Sequence, residues 1–138
     1  MGYVELHSHS HFSLLDGAVS PEALVEAAGR AGMSSLALTD HDGLYGIPAF
    51  FTAAKRVGVK PILGAELTLE GGHHVTLLVM DGTGYANLCR LITQAQLSPE
   101  NELTQNSRVH GFSPYLSHVD RPVQGLKNFP CVLYGNTI

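Results

Sequence analysis

The chain reads as an α/β protein built on mainly parallel strands. Three observations predict this. Short apolar runs alternate with helix-period segments in the order β-α-β-α-β-β-α, the links between them are short and glycine-rich, and side chains suited to metal binding recur where the expected strands end. In parallel α/β folds the carboxyl edge of the strands is where sites form.

Tyr3 to His7 is expected as the first strand, with Tyr3, Val4 and Leu6 as its apolar lead-in. His11 to Ala18 is a loop containing the turn pair Asp16-Gly17. Ser20-Pro21-Glu22-Ala23 is a helix start, with Ser20 as cap and Pro21 at the first helical position. Leu24, Ala27 and Ala28 are its expected apolar stripe, and Gly32 stops it after Arg30. Ser35 to Thr39 is the second strand and Asp40 to Gly46 a loop. Ile47 to Val57 is the second helix, with Phe50, Phe51, Ala54 and Val57 on one side, Pro48 tolerated in its first turn and Gly58 as stop. Lys60 to Leu63 is the third strand, leading into Gly64-Ala65-Glu66, with an extension at Thr68 to Glu70 before the Gly71-Gly72 turn. Val75 to Val79 is the fourth strand, Asp81 to Gly84 a loop, and Tyr85 to Gln94 a third helix carrying Leu88, Leu91 and Ile92. Beyond residue 100 the apolar periodicity fades among Pro114, Pro122 and Pro130, with Val132-Leu133-Tyr134 as an edge strand. The expected division is therefore an ordered part over 1–100 and an irregular tail over 101–138.

A chain of 138 residues suffices for one domain. Eight Lys and Arg against twelve Asp and Glu give a net charge of −4, which is not the bulk charge of a nucleic-acid surface. Cys89, expected as a buried thiol, and Cys131 imply no disulfide framework, which fits a reducing compartment. The N-terminus lacks a signal-peptide pattern, and the apolar runs fall far short of the roughly 18 residues of a membrane span. The expected location is cytoplasmic.

The chemistry concentrates in His7-Ser8-His9-Ser10-His11, Thr39-Asp40-His41-Asp42, Gly64-Ala65-Glu66 and His73-His74. Side chains at i and i+2 of a strand share a face, so His7 and His9 present two imidazoles from one edge. Two such rings repel when protonated, and a divalent cation resolves the conflict. The expected ligands are His7, His9, Asp16, His41, Glu66 and His74, with His9, His41 and Asp16 nearest the chemistry. His74 opens the fourth strand, so its place depends on that strand's direction. Nitrogen and oxygen donors without sulfur suit Zn, Mn or Fe over Ca or Mg. Asp16 or Glu66 could bridge two ions about 4 Å apart, which would activate a water and neutralise a phosphoryl oxygen. Asp40 and Asp42 flank His41 and are expected to receive its second ring N–H, fixing the tautomer. His11, His73, His110 and His118 read as incidental. No phosphate-binding glycine loop, dinucleotide fingerprint or Gly-x-Ser-x-Gly elbow competes.

Tyr3-Val4-Glu5-Leu6-His7-Ser8-His9-Ser10, Phe12-Ser13-Leu14-Leu15-Asp16-Gly17-Ala18, Ala37-Leu38-Thr39-Asp40-His41-Asp42-Gly43 and Pro61-Ile62-Leu63-Gly64-Ala65-Glu66 together resemble the opening of the polymerase and histidinol phosphatase (PHP) domain. His74-Val75-Thr76-Leu77-Leu78-Val79, followed by Gly84-Tyr85-Ala86-Asn87-Leu88-Cys89-Arg90-Leu91, is more specific. It is similar to the N-terminal PHP region of bacterial DNA polymerase III alpha subunits, in their error-prone branch. The resemblance implies a distorted, TIM-like (β/α)7 barrel, of which this chain would be the incomplete N-terminal half, and a cluster of two or three divalent metals, fewer in this piece. It places His7, His9, Asp16, His41, Glu66 and His74 at the family's early metal positions, while the family's later ligands find no match. It implies phosphate-ester hydrolysis in stand-alone relatives. In polymerases it implies either 3′–5′ exonuclease-type activity or a structural role. The implied partners are DNA or another phosphoester, other polymerase domains and replication or mutagenesis factors, with no membrane. The text after residue 105 departs from the family, which points to a truncated or frame-shifted product. The polymerase carboxylates lie beyond this length, so polymerisation by this chain alone is not expected. Three readings stay open: a metal-dependent phosphoesterase piece of a polymerase subunit, a stand-alone PHP phosphatase, and an inactive domain that stabilises a polymerase.

Overall fold

A computed structural model describes residues 2–69, 73–97 and, in backbone, 131–134. The chain divides into two units, Met1–Glu66 and Leu67–Ile138. The first contains α1 (Pro21–Arg30), β1 (Ser35–Leu38) and α2 (Ile47–Val57). It also contains all but the last two residues of β2 (Lys60–Thr68). The second contains β3 (His74–Val79), α3 (Gly82–Leu97) and β4 (Cys131–Tyr134).

The N-terminal segment departs from expectation. Tyr3 to His7 is not a strand but a single parallel bridge, Glu5 opposite Leu36, with the Ala37 N–H donating to Glu5 O at 2.9 Å. A continued parallel ladder would send the His7 N–H to Ala37 O. The Glu5 carboxylate intercepts that N–H at 3.1 Å, and the Ser8 hydroxyl takes Ala37 O at 2.5 Å. Side chains thus end the ladder after one step. The segment still docks on β1, because Thr39 N–H donates to Ser8 O at 2.9 Å.

Helix α1 begins as its sequence dictates. Ser20 is extended, its hydroxyl accepts the Ala23 N–H at 3.2 Å, and Pro21 occupies the first turn, where its missing N–H costs nothing. At the other end Gly32 adopts φ +71°. The Gly32 N–H reaches Gly29 O and the Met33 N–H reaches Ala28 O, the paired bonds of a Schellman ending. The buried stripe is Pro21, Val25 and Ala28, with Leu24 packed against the same core; of the expected Leu24-Ala27-Ala28 set only Ala27 is exposed, and Val25 joins the stripe instead. In α2 the buried residues are Ile47, Phe50, Ala53 and Ala54. Phe51 and Val57, expected inside, are partly exposed, and the Lys55 ammonium sits 4.4 Å from the centre of the Phe51 ring.

Both helices pack together, and α1 packs on β1, around Val25, Leu36, Leu38, Phe50 and Val59. β1 pairs with β2 in parallel register from Ser35 opposite Lys60 to Leu38 opposite Leu63. β2 is much longer than the expected Lys60–Leu63, so Glu66 lies inside a strand rather than in a loop after one.

Within the second unit, β3 and β4 are antiparallel, with Leu77 opposite Leu133, and α3 packs on β3. Asp81 caps α3, its carboxylate accepting the Gly84 N–H at 2.9 Å, so the helix begins earlier than the expected Tyr85. Leu88, Leu91 and Ala95 are its buried line, and Cys89 is half-buried. Among the described residues the strands do not close into a barrel. Of the 101–138 tail only the β4 strand falls among the described residues, and it includes the expected Val132-Leu133-Tyr134.

Phe50 is fully buried at the centre of the first unit, and Phe51 beside it is 40% exposed. Phe50→Ala is expected to lower the unfolding free energy by about 3–5 kcal/mol in urea titrations. Phe51→Ala is expected to cost well under that, about 1 kcal/mol or less.

Candidate metal centre

Backbone pairing delivers the side chains of this site. His7 and His9 leave the N-terminal segment two residues apart, and their ring centroids are 4.8 Å apart, edge to face. His41 follows directly on the chain that continues β1, and it forms a parallel bridge with Glu66 of β2. That bridge is held from both sides: the Glu66 N–H donates to Asp40 O at 3.1 Å, and the Asp42 N–H donates to Glu66 O at 2.8 Å. Asp16 arrives from the loop after His9. Gly17 lies so close to Ser10 that a Cβ there would sit 1.8 Å from Ser10 O, so only glycine lets the loop curl this tightly.

The five groups form a closed circuit. The His7 Nε2 contacts Glu66 Oε2. The His9 Nε2 lies 3.0 Å from His7 Nε2 and 3.7 Å from Glu66 Oε2. On its other side, His9 Nδ1 lies 2.5 Å from Asp16 Oδ2. Asp16 Oδ2 is 3.0 Å from His41 Nε2, and His41 Nδ1 is 3.6 Å from Glu66 Oε1. The His9 and His41 rings are 4.4 Å apart between centroids. Two overlapping sets, His7-His9-Glu66 and His9-Asp16-His41, each bring their donor atoms within 4.8 Å of one another.

With neutral imidazoles this cluster carries two negative charges, of which Glu66 is buried and Asp16 is 56% exposed at its side chain. A buried carboxylate needs compensation, and a divalent cation coordinated by the facing ring nitrogens provides it. Hydrogen bonding from His41, and then from His9, holds the Asp16 carboxyl below its ordinary value of 3.8. A neutral imidazole has one lone-pair nitrogen. When His9 donates Nδ1–H to Asp16, its Nε2 is left to face His7 and Glu66 as a ligand. The donor set therefore fits one or more cations of the kind that nitrogen and oxygen ligands hold.

The structure brings together His7, His9, Asp16, His41 and Glu66. His74 belongs to the second unit, as the exposed first residue of β3. His11 is exposed beside Phe12, and His73 is exposed before β3. His110 and His118 lie outside the described residues. Asp40 does a different job from the one expected of it. Its carboxylate, almost fully buried, accepts the Ser10 N–H and the Ser10 and Ser13 hydroxyls, each at 2.7 Å. The ring nitrogens of His41 face Asp16 and Glu66 instead. Asp42, at φ +48°, supplies its backbone N–H to Glu66 O. Ser10 and Ser13 are the residues that sequence reasoning missed. The signal they offered was a pair of serines flanking candidate ligands, which by itself resembles any polar loop.

A model of the PHP domain family matches residues 5–121. The chain is 52% identical over 104 residues to the error-prone DNA polymerase of Symbiobacterium thermophilum, covering 75% of this chain and 10% of that protein. It is 44% identical over 108 residues to the error-prone DNA polymerase of Mycobacterium tuberculosis, covering 71% and 10%. The chain thus spans 10% of the length of these curated relatives. Among solved structures, it is similar to an amidohydrolase from Chromobacterium violaceum holding sulfate and no metal, with a TM-score of 0.56 and 31% identity, covering 67% of this chain and 33% of that one. It is also similar to a protein of Bifidobacterium adolescentis inferred to be a metal-dependent phosphoesterase, with a TM-score of 0.56 and 26% identity, covering 67% and 32%.

Because its folded carboxyl titrates below 3.8, Asp16 contributes stability above that value and loses it as the pH falls through its lower folded value. In metal-free protein, the difference in unfolding free energy between wild type and Asp16→Asn is expected to be present at about pH 5 and to close by about pH 2, read by urea titration at both. A difference independent of pH would remove the ionised Asp16 from the circuit.

Proposed function

The chain belongs to the PHP domain family, and on that premise we propose that it binds divalent cations through His7, His9, Asp16, His41 and Glu66 and hydrolyses a phosphoester placed against them. The observation that carries this reading is the closed circuit of three imidazoles and two carboxylates, in which His7-His9-Glu66 and His9-Asp16-His41 each hold their own donor atoms within 4.8 Å of one another. Zn, Mn or Fe is the cation class that such a donor set takes. When bound, the cation supplies Lewis acidity and charge neutralisation at a phosphoryl oxygen.

The chain's own residues do the positioning. Glu66 turns one oxygen toward His7 and His9 and the other toward His41, so both of its oxygens face ring nitrogens. Its backbone is pinned on both sides by the pairing with His41, which fixes where the side chain starts. Asp16 stays ionised at neutral pH and accepts from His9 and His41. Through Oδ2 it holds both rings, and its side chain is exposed to solvent. In this proposal His9, His41 and Asp16 are the residues at the reacting atoms. His74 is included as a further ligand on the family resemblance.

The identity to error-prone DNA polymerases favours a DNA phosphodiester as the substrate, with the other polymerase domains and replication or mutagenesis factors as partners in a full-length parent. A second reading has one observation behind it: the chain spans only 10% of those relatives, so its part in them could be to stabilise the larger protein. In that reading one ion or none binds and no turnover follows.

Elemental analysis of the purified full chain is expected to find bound divalent cation. A metal-dependent phosphodiesterase assay is expected to show turnover that falls by about 100-fold or more in His9→Ala, since changing even the partners of a ligand costs 10–100-fold. His74→Ala is expected to lower metal affinity as well. Metal-dependent turnover rejects the structural reading, whereas absence of turnover, with or without bound cation, rejects phosphoester hydrolysis and selects the structural reading.

A further inference from the structure

We propose that Asp40 is a positioning residue for the metal centre: through Ser10 and Ser13 it ties the loop that carries Asp16 to the strand end that carries His41. This deepens the metal-binding reading and rests on it. The geometry is specific. Asp40 Oδ1 accepts the Ser10 N–H and the Ser13 hydroxyl, and Oδ2 accepts the Ser10 hydroxyl, all at 2.7 Å. Ser10 and Ser13 are fully buried and Asp40 is 2% exposed. The Ser13 hydroxyl oxygen in turn accepts the His41 N–H at 3.1 Å. The Ser13 carbonyl accepts the N–H groups of Asp16 at 3.1 Å and Gly17 at 2.8 Å. An unbroken path of hydrogen bonds therefore runs from the Asp40 carboxylate through Ser13 to the backbone of Asp16, with a branch to His41.

The ligands do not depend on this path equally. Glu66 and His41 are fixed opposite each other by backbone pairing, and His7 leaves a segment docked on β1 by its own backbone bonds. Asp16 has no such pairing, and its backbone N–H is spent on Ser13 O. Loss of Asp40 leaves three buried donors without their acceptor and frees the loop. The damage should then appear at Asp16 and spare the His7 side.

The test is a double-mutant cycle on metal affinity, using zinc titration of the full chain. Asp40→Ala is expected to weaken binding by about 10–100-fold, the range for residues that orient ligands. On an Asp16→Ala background it is expected to weaken binding no further, and on a His7→Ala background it is expected to cost its full factor. Asp40→Asn keeps an acceptor at Oδ1 and places an amide at Oδ2 toward the Ser10 hydroxyl, which turns to accept, so it is expected to restore most of the affinity. Equal losses on the two backgrounds, or a folded Asp40→Ala with wild-type affinity, overturn the proposal. Should Asp40→Ala not fold, Ser13→Ala takes its place in the same cycle, since it cuts the path to Asp16 while leaving Ser10 on Asp40. Hydrogen exchange of the metal-free protein separates the two levels of inference. Ser10 and His41 amides that exchange faster in the variant support the tether, and unchanged rates overturn it. A wild-type chain that takes up no zinc rejects the metal-binding reading while those rates still decide the tether.

Discussion

The backbone bridge between His41 and Glu66 is the constraint on which the rest of the site stands. A buried carboxylate among imidazoles is unfavourable unless its position is enforced, because ionised groups in a low-dielectric setting cost several kcal/mol unless paired. Here the Glu66 amide and carbonyl are both committed to the neighbouring chain, at Asp40 O and Asp42 N. Glu66 cannot withdraw into solvent without breaking that pairing. The same bridge orders His41, so the two groups meet because β1 and β2 are parallel and in register from Ser35 and Lys60 onward. The register in turn rests on the Val25, Leu38 and Phe50 core, which links burial of apolar surface to the geometry of the site.

Much of this was legible in the sequence because its causes are local. The start and stop of α1 follow from Ser20, Pro21 and Gly32, and all three act through bonds within a few residues. The ligand types follow from His-x-His and from acids near strand ends, a pattern set by the two-residue repeat of extended chain. What was not legible has non-local causes. That Val25 rather than Ala27 joins Leu24 and Ala28 at the core depends on how α1 docks on α2 and β1, and the apolar residues at 23–25 and 27–28 allow either choice. The length of β2 was hidden because Gly64 reads as a strand breaker, while pairing sustains the strand through it.

The N-terminal segment and the Asp40 cluster show a second kind of illegibility, in which a side chain takes over a backbone role. Glu5 falls inside the expected Tyr3–His7 strand, yet its carboxylate captures the N–H that the ladder needed. That carboxyl is held below its ordinary range, chiefly by the Tyr3 hydroxyl. Asp40 reads as a partner for the adjacent His41 ring. Neighbours in an extended chain point to opposite faces, however, so an acid directly beside a ligand histidine is turned away from its ring. The residue that meets His41 Nε2 is Asp16, twenty-five positions earlier. The sequence rule that fits this site is therefore that the acid flanking a ligand histidine supports the opposite face, and the acid in the preceding loop meets the ring.

This division of labour bears on how binding and folding are coupled. The His7, His41 and Glu66 positions are set by pairing and packing that need no cation, so the unit can hold them in advance, and ion binding there draws little on folding energy. Asp16 sits on a loop held by its own backbone bonds and anchored to the strand side by hydroxyl bonds to one buried carboxylate. A cation held by Asp16 would add its own bond energy to that loop, which is where metal binding becomes folding energy. The exposed Leu14 and Leu15, the latter at φ +69°, lie on this same loop and add no core contacts to hold it. The loop is thus the part of the site with least apolar support, and a centre assembled this way is rigid along its strand side and adjustable at its Asp16 rim. Asp16 is the most exposed member of the circuit, so its adjustable half is the half that faces solvent.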